Sequence, residues 1–216
     1  MKRAGIQQIT PKLWRGAAVD KWTPIQRERA IEEFIWCCDK VGDDELEVVE
    51  IGAQMGLHLE AVGRPGLKGS TPLHLAMGSG AVRAQDILID AGGLLEVCGP
   101  DGNTPLAIAS WAGSTELARA LLAAGAEVDA ACQDGWTPLM RACSSGAASC
   151  AQELIRAGAR LDAENVEGLS VRTIAARRGG GVAELVEKEA ARCDALALEA
   201  AAGPSAGSSS ARKMSL

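Results

Sequence analysis

The tripeptide Thr-Pro-Leu recurs at a fixed interval: Thr71-Pro72-Leu73, Thr104-Pro105-Leu106 and Thr137-Pro138-Leu139, each copy 33 residues after the last. One further step lands on Ser170, in Gly168-Leu169-Ser170-Val171. The register extends well beyond three letters. A glycine stands two residues before each Thr or Ser (Gly69, Gly102, Gly135, Gly168), and an alanine stands five after (Ala76, Ala109, Ala142, Ala175). Glycines also recur at Gly80, Gly113, Gly146 and Gly179, and at Gly92, Gly125 and Gly158. A period of this length restricts the chain to a stack of like supersecondary units. Function in such a stack spreads over a long surface rather than a catalytic pocket.

The physics of one unit follows from its letters. Threonine is a good N-cap, and proline at the first helical position pre-sets the helical angle without losing a needed donor. Thr104-Pro105 therefore opens a short helix running to about Ala112. Gly113 tolerates the positive φ of a tight turn. A second helix, Thr115 to Ala124, carries Leu117, Leu121 and Leu122 on one face at helical spacing. Gly125 ends it, and Glu127 to Gly135 forms an extended turn into the next Thr. One such pair cannot bury its apolar face alone, whereas stacked neighbours can. The small residues Ala107, Ala109 and Ala112 on the first helix suit close stacking.

This G-x-T-P-L-x-x-A pattern with a later L-L-x-x-G-A resembles the ankyrin repeat. Segments 66–98, 99–131 and 132–164 match it without a gap, 165–197 matches as a degenerate last unit, and Thr71 to Ala76 carries the full T-P-L-H-L-A form. Upstream, Glu45 to Ile51 reads as the second helix of a weaker unit, followed by extra residues within Ala61 to Gly66. Its first helix spans about Ile25 to Val41, opened by Thr23-Pro24 with Gln26 at the capping-box position and striped by Ile31, Phe34, Ile35 and Cys38. The resemblance implies an all-α repeat solenoid of stacked helix-turn-helix ankyrin repeats with short hairpin-like turns. We expect an N-terminal extension at 1–23, a domain of five repeats at 24–198 with atypical first and last caps, and a disordered Ser/Gly-rich tail at 199–216. In the last repeat Arg172 replaces the core Leu and Val171 the Pro, which a terminal unit with one face in water tolerates. Glu96, Asp129 and Asp162 stand where the family often has Asn, which argues against asparagine hydroxylation.

The net charge of −6 disfavours a nucleic-acid phosphate backbone as primary partner. No stretch is long and apolar enough to span a membrane, and no signal-peptide core follows Met1-Lys2-Arg3. The 7 cysteines form no C-x-x-C pair, which points to buried, inert thiols in a reducing compartment. We therefore expect an intracellular, cytoplasmic protein, with nuclear or organellar placement as alternatives, monomeric on its own. Residues 1–19 are basic and acid-free, as transit peptides are, but lack the usual serines. The alternative is an extension that packs on the cap or binds through Trp14 and Trp22.

Catalytic signals are weak. Gly203-Pro204-Ser205-Ala206-Gly207 fits a nucleophile-elbow pattern, but it lies in the tail without the strand and helix an elbow needs. Of the 2 histidines, His74 is the T-P-L-H residue, which the resemblance assigns to tying adjacent turns together, and His58 falls in the turn after a helix. Neither a phosphate-binding loop nor an H-E-x-x-H motif occurs, and Glu45, Glu47 and Glu50 read as a solvated helix face. We expect no enzyme activity, cofactor or metal.

In ankyrin proteins partners dock on the concave side, built from the turn tips and the exposed face of each first helix. Mapped by the period, the candidate contacts at the tips are Lys68, Ser70, Asp101, Asn103, Gln133, Asp134, Trp136 and Leu169. On the helices they are Trp111, Ser144, Ser145, Arg177 and Arg178. Trp111 and Trp136 are the expected anchors, because tryptophan buries a large area with few rotors. Asp101 and Asp134 on one stretch, with Arg177-Arg178 at the far end, imply a partner of opposite polarity along its length. The sequence thus reads as an adaptor or scaffold for a protein partner. The alternative is an accessory subunit or assembly chaperone docked through the terminal extensions.

Overall fold

The computed structural model describes residues 22–38, 43–61, 69–131 and 134–202. Threonine caps and glycine turns divide this chain into helix pairs. The first helices of the regular units are α4 (Pro72–Ser79), α6 (Pro105–Ala112) and α8 (Pro138–Ser145), and the second helices are α5 (Val82–Asp90), α7 (Thr115–Ala123) and α9 (Ala148–Arg156). Each first helix begins as the sequence requires. Thr71, Thr104 and Thr137 have extended backbones, and their hydroxyls accept from the N–H groups of His74, Ala107 and Met140 at 3.2 to 3.3 Å. Proline follows each cap, where its missing N–H costs nothing. At the other end Gly113 sits at φ 71, left-handed, and Ser114 N–H reaches back to the Ala109 carbonyl at 3.0 Å. These boundaries agree with the sequence reading to within a residue.

The pairs stack into two layers. The first helices form one row, with α6 against α8 and α8 against α10 (Val171–Arg178), and the second helices α5, α7 and α9 form the other. Between the rows, Leu73, Leu106 and Leu139 from the first helices and Leu88, Leu121 and Leu154 from the second are fully enclosed. Each such leucine contributes about 1.5–3 kcal/mol by leaving water, and the alanines between them, Ala76, Ala109 and Ala142, let the helices approach. Among the described residues the one extended pairing outside the helices is an isolated antiparallel bridge between Glu164 and Ser170, at the last turn tip.

The acids at the Asn register have a structural use. The Glu96 carboxylate accepts the Glu127 backbone N–H at 2.8 Å, and Asp129 accepts the Arg160 N–H at 3.1 Å. Each acid therefore ties its turn to the next unit. Asp162 has no such link and instead pairs with the Arg160 side chain at 3.2 Å.

The ends are built differently. α1 (Pro24–Cys38) opens with the expected capping box: Gln26 N–H donates to Thr23 Oγ1 at 3.3 Å, and Thr23 N–H to Gln26 Oε1 at 2.9 Å. Its buried face is Ile31, Phe34 and Cys38, joined by Ala30 and Cys37. Phe34, the sole phenylalanine of the chain, lies over Gly52 of α2 (Asp43–Gln54) so closely that a Cβ there would stand 2.4 Å from the ring. The sequence did not announce the short α3 (Leu57–Glu60), and it corrects the placement of His58 in a turn: the residue lies within α3 and is 6% exposed. At the far end α11 (Gly181–Ala202) buries Val182, Val186 and Ala190, spaced by four. It runs to Ala202, so residues 199–202, expected to begin the tail, are helical. Arg172, in the place of the core leucine, is exposed and pairs with Asp194 of α11 at 3.1 Å. Of the expected extension at 1–23 only Trp22 and Thr23 are described, with Trp22 half-buried against the core; residues 1–21, the expected insertion after Ala61 and the tail from 203 onward lie outside the described residues.

The thiols depart in part from expectation. Cys37, Cys38, Cys143 and Cys150 are buried thiols outside any disulfide, and burial pushes the Cys143 thiol up to about 12. Cys193 is free but exposed, and Cys98 is disulfide-bonded rather than an inert thiol.

Candidate protein-binding face

The period that builds the stack also aligns the turn tips and the outward side of the first helices, one set per unit. Trp111, near the end of α6, is 62% exposed, so most of its surface is open to solvent. Beside it Ala112 is exposed, and the neighbouring units present Gly78 and Ser144, also exposed. A large flat ring among small residues leaves room for an inserted side chain.

Trp136 behaves differently. It is half-buried against the core, and the Arg141 guanidinium lies over its ring, 4.7 Å from the centroid. The period treats both tryptophans alike as anchors, but Trp136 packs against the core and Trp111 does not. Asp134 is exposed, and its charge acts on Arg141. Asp101 is exposed as well. Asn103 is half-buried and shapes its own turn, donating from Nδ2 to the Asp101 carbonyl at 3.0 Å, while its Oδ1 is enclosed without a hydrogen-bond partner.

The remaining candidates divide between exposed positions and turn scaffolding. Ser70 is half-buried next to the Thr71 cap. Ser144 is exposed, whereas Ser145 turns back to donate to the Ala142 carbonyl at 3.2 Å. Leu169 packs against the core, and its N–H donates to Asn165 Oδ1 at 2.9 Å. Asn165, missed by sequence reasoning, is buried and also accepts the Glu167 N–H at 3.0 Å, so it organises the last tip. Arg177 and Arg178 are exposed, and Arg178 donates from Nη2 to the Ser145 carbonyl at 3.2 Å, covering the end of α8. Lys68 and Gln133 lie outside the described residues.

Arg141 is the other residue that sequence reasoning missed. Its signal was present in the period: the same position holds Leu75, Ile108 and Ile174 in the other units. An arginine in an otherwise apolar register marks a local departure from packing logic.

Both histidines are buried. His74 Nδ1 accepts the Thr71 N–H at 3.3 Å and meets Thr71 Oγ1 at 2.7 Å, completing a capping box. Its Nε2 lies 3.3 Å from the Asn103 carbonyl of the next unit. With Nδ1 accepting, the ring is the Nε2–H tautomer, and Nε2 donates across the repeat boundary. Burial holds its pKa below the ordinary histidine value, offset in part by that carbonyl and by Asp101. Among the described residues no cluster of His, Cys, Asp and Glu is arranged to hold a metal ion, and no helix is long and apolar enough to cross a membrane.

Two rows of short capped helices at a 33-residue period, presenting an aligned face of tips and helix sides, define a helical repeat solenoid. A family profile for ankyrin repeats in three copies matches residues 35–132, and a profile for a single ankyrin repeat matches residues 134–166. The chain belongs to the ankyrin-repeat family, whose repeats are generally protein–protein interaction modules. No curated protein matches the chain significantly.

Proposed function

We propose that this protein is a non-catalytic adaptor or scaffold that holds a partner protein on the concave face of its repeats. The observation that carries this reading is Trp111, an exposed indole on a first helix, ringed by small residues and outside the packed core. Exposed aromatic anchors of this kind dominate the energy of protein interfaces. The same reading makes the protein a monomer without affinity for nucleic acid, in keeping with its net charge of −6. It also places the protein inside the cell, most simply in the cytoplasm. The buried free thiols support that placement, and the disulfide at Cys98 weighs against it.

The experiment is affinity purification from the native cell with mass spectrometry, comparing the wild type with Trp111→Ala. The single variant is the right probe, because Trp136 takes part in packing. A partner retained by the wild type and lost by the variant supports the concave-face reading. Partners held equally by both variants would overturn it and favour an accessory subunit docked through its terminal extensions.

A further inference from the structure

Arg141 stands in a register that is apolar in every other unit aligned with it: Leu75, Ile108 and Ile174. Packing alone would be served by a leucine there, as those units show. The arginine is held in place, with its guanidinium 4.7 Å from the Trp136 ring centroid. Its Nε is enclosed and has no hydrogen-bond partner, and no carboxylate among the described residues forms an ion pair with it. Asp134 acts on it only as a nearby charge. A guanidinium stacked on an aromatic face is pre-organised to receive a planar carboxylate with little loss of rotamer freedom.

A second cation lies at the end of the same helix. Arg178 donates to the backbone carbonyl of Ser145, the last residue of α8, at 3.2 Å. α8 therefore has one guanidinium on its side and another at its C-terminal end, while the turn tips carry Asp101, Asp134 and Glu167, all exposed.

We propose that Arg141 is a specificity-determining contact that receives an aspartate or glutamate from an acidic segment of the protein partner. This rests on the concave-face reading above. The segment lies with its acidic edge toward α8 and away from the tip carboxylates, and an apolar side chain of the same segment sits against Trp111. Arg141 thus selects the partner by charge, and Trp111 anchors it by area.

The test uses the full chain and a random peptide library displayed on yeast. Peptides enriched on the wild-type protein are sequenced, and one enriched peptide is titrated by fluorescence polarisation against Arg141→Leu, Arg141→Lys and Trp111→Ala. The leucine variant restores the residue type of the other units, and its melting temperature is checked alongside to separate loss of the Trp136 stack from loss of binding. The expected result is a recurrent Asp or Glu in the enriched peptides. Binding is expected to weaken at least tenfold with Arg141→Leu and less with Arg141→Lys. An Asp→Asn or Glu→Gln version of the peptide is expected to lose no further affinity when Arg141 is replaced. Peptides that depend on Trp111 but show no acidic preference, or that ignore Arg141→Leu, would overturn this inference and leave the concave-face reading standing. Peptides indifferent to both substitutions, or the absence of any enriched sequence, would overturn both.

Discussion

The middle units and the ends solve the same packing problem with different chemistry. In the middle, leucines at fixed register fill the space between two helix rows, and a threonine, a proline and a left-handed glycine set each boundary. At the N-terminal end the core is mixed, with Phe34 over Gly52 beside Ile31, Val49 and Leu57, and a Gln26 capping box replaces the His74 one. At the C-terminal end the register dissolves into a long helix buried through Val182, Val186 and Ala190 and tied by Arg172–Asp194. A middle unit has a neighbour on both sides and is held to the period by both. An end unit has one neighbour, and its sequence is free to drift as long as one face is sealed.

That contrast can be broken most forcefully at Phe34. Phe34→Ala removes an enclosed ring and is expected to cost about 3–5 kcal/mol. Because stability in a solenoid is nearly a sum of nearest-neighbour contributions, the damage should stay local. Hydrogen exchange should accelerate in α1 and α2 while α8 and α9 keep their protection. Uniform loss of protection across all units would show that the ends and the middle form one cooperative block.

The next largest effect separates two glycines of the middle. Gly113 and Gly135 both have positive φ, 71 and 70. A side chain at Gly113 meets only Ala147 Cβ at 3.4 Å, an ordinary contact, whereas at Gly135 it meets the Asn165 and Val166 backbone at 3.1 Å. Gly113→Ala is expected to cost about 1–2 kcal/mol from the left-handed backbone alone. Gly135→Ala should add an overpacking cost of about 1–3 kcal/mol, because it presses on the next unit's backbone. Urea midpoints of the two variants compare them directly, and equal shifts would mean that the tip of the last turn yields freely.

Much of this difference was readable in advance. The period fixes helix starts, turns and the core leucines, because each rests on local chemistry repeated in register. The capping box at Thr23 and Gln26 was legible for the same reason. The helix α3 was not, since Leu57 to Glu60 carries no cap and no period. At the candidate face, the tip and helix positions followed from register, but their states did not. The register separates Trp111 on a helix from Trp136 at a tip, but the burial of Trp136 rests in part on Arg141 folding over its ring, a contact that register alone does not state. Asn165 escaped for a related reason: its two backbone acceptances close a turn whose shape the sequence does not state.

Acid sharpens the comparison through one histidine in each region. Burial lowers the pKa of both His58 and His74 from the ordinary 6.5. As pH falls below that value, the unfolded chain binds protons that the folded chain refuses, so stability drops. Above it both states are neutral and the slope vanishes. The melting temperature is expected to be flat from pH 8 to 7 and to fall from pH 6.5 to 5.5. His58 has no well-formed hydrogen bond at either ring nitrogen, and an interaction with the Ala53 backbone offsets only part of its burial. His58→Leu should therefore flatten the slope without lowering stability at pH 8. His74→Ala should flatten it too, but at the cost of a capping box and a link between units. If His58→Leu leaves the slope unchanged, the end contributes nothing to acid sensitivity.

The smallest effect on stability is expected from the residue proposed as the binding anchor. Trp111 is 62% exposed and outside the packed core, so Trp111→Ala should change the unfolding free energy by less than about 0.5 kcal/mol, as surface substitutions do. Trp136→Ala loses core contact and the Arg141 stack, itself worth about 0.5–1 kcal/mol, and should cost measurably more. Urea denaturation of the two variants side by side decides the matter. A large loss from Trp111→Ala would make it a structural residue after all and remove the foundation of the proposed face. A negligible one separates it from the fold and leaves it available for the proposed role as an anchor.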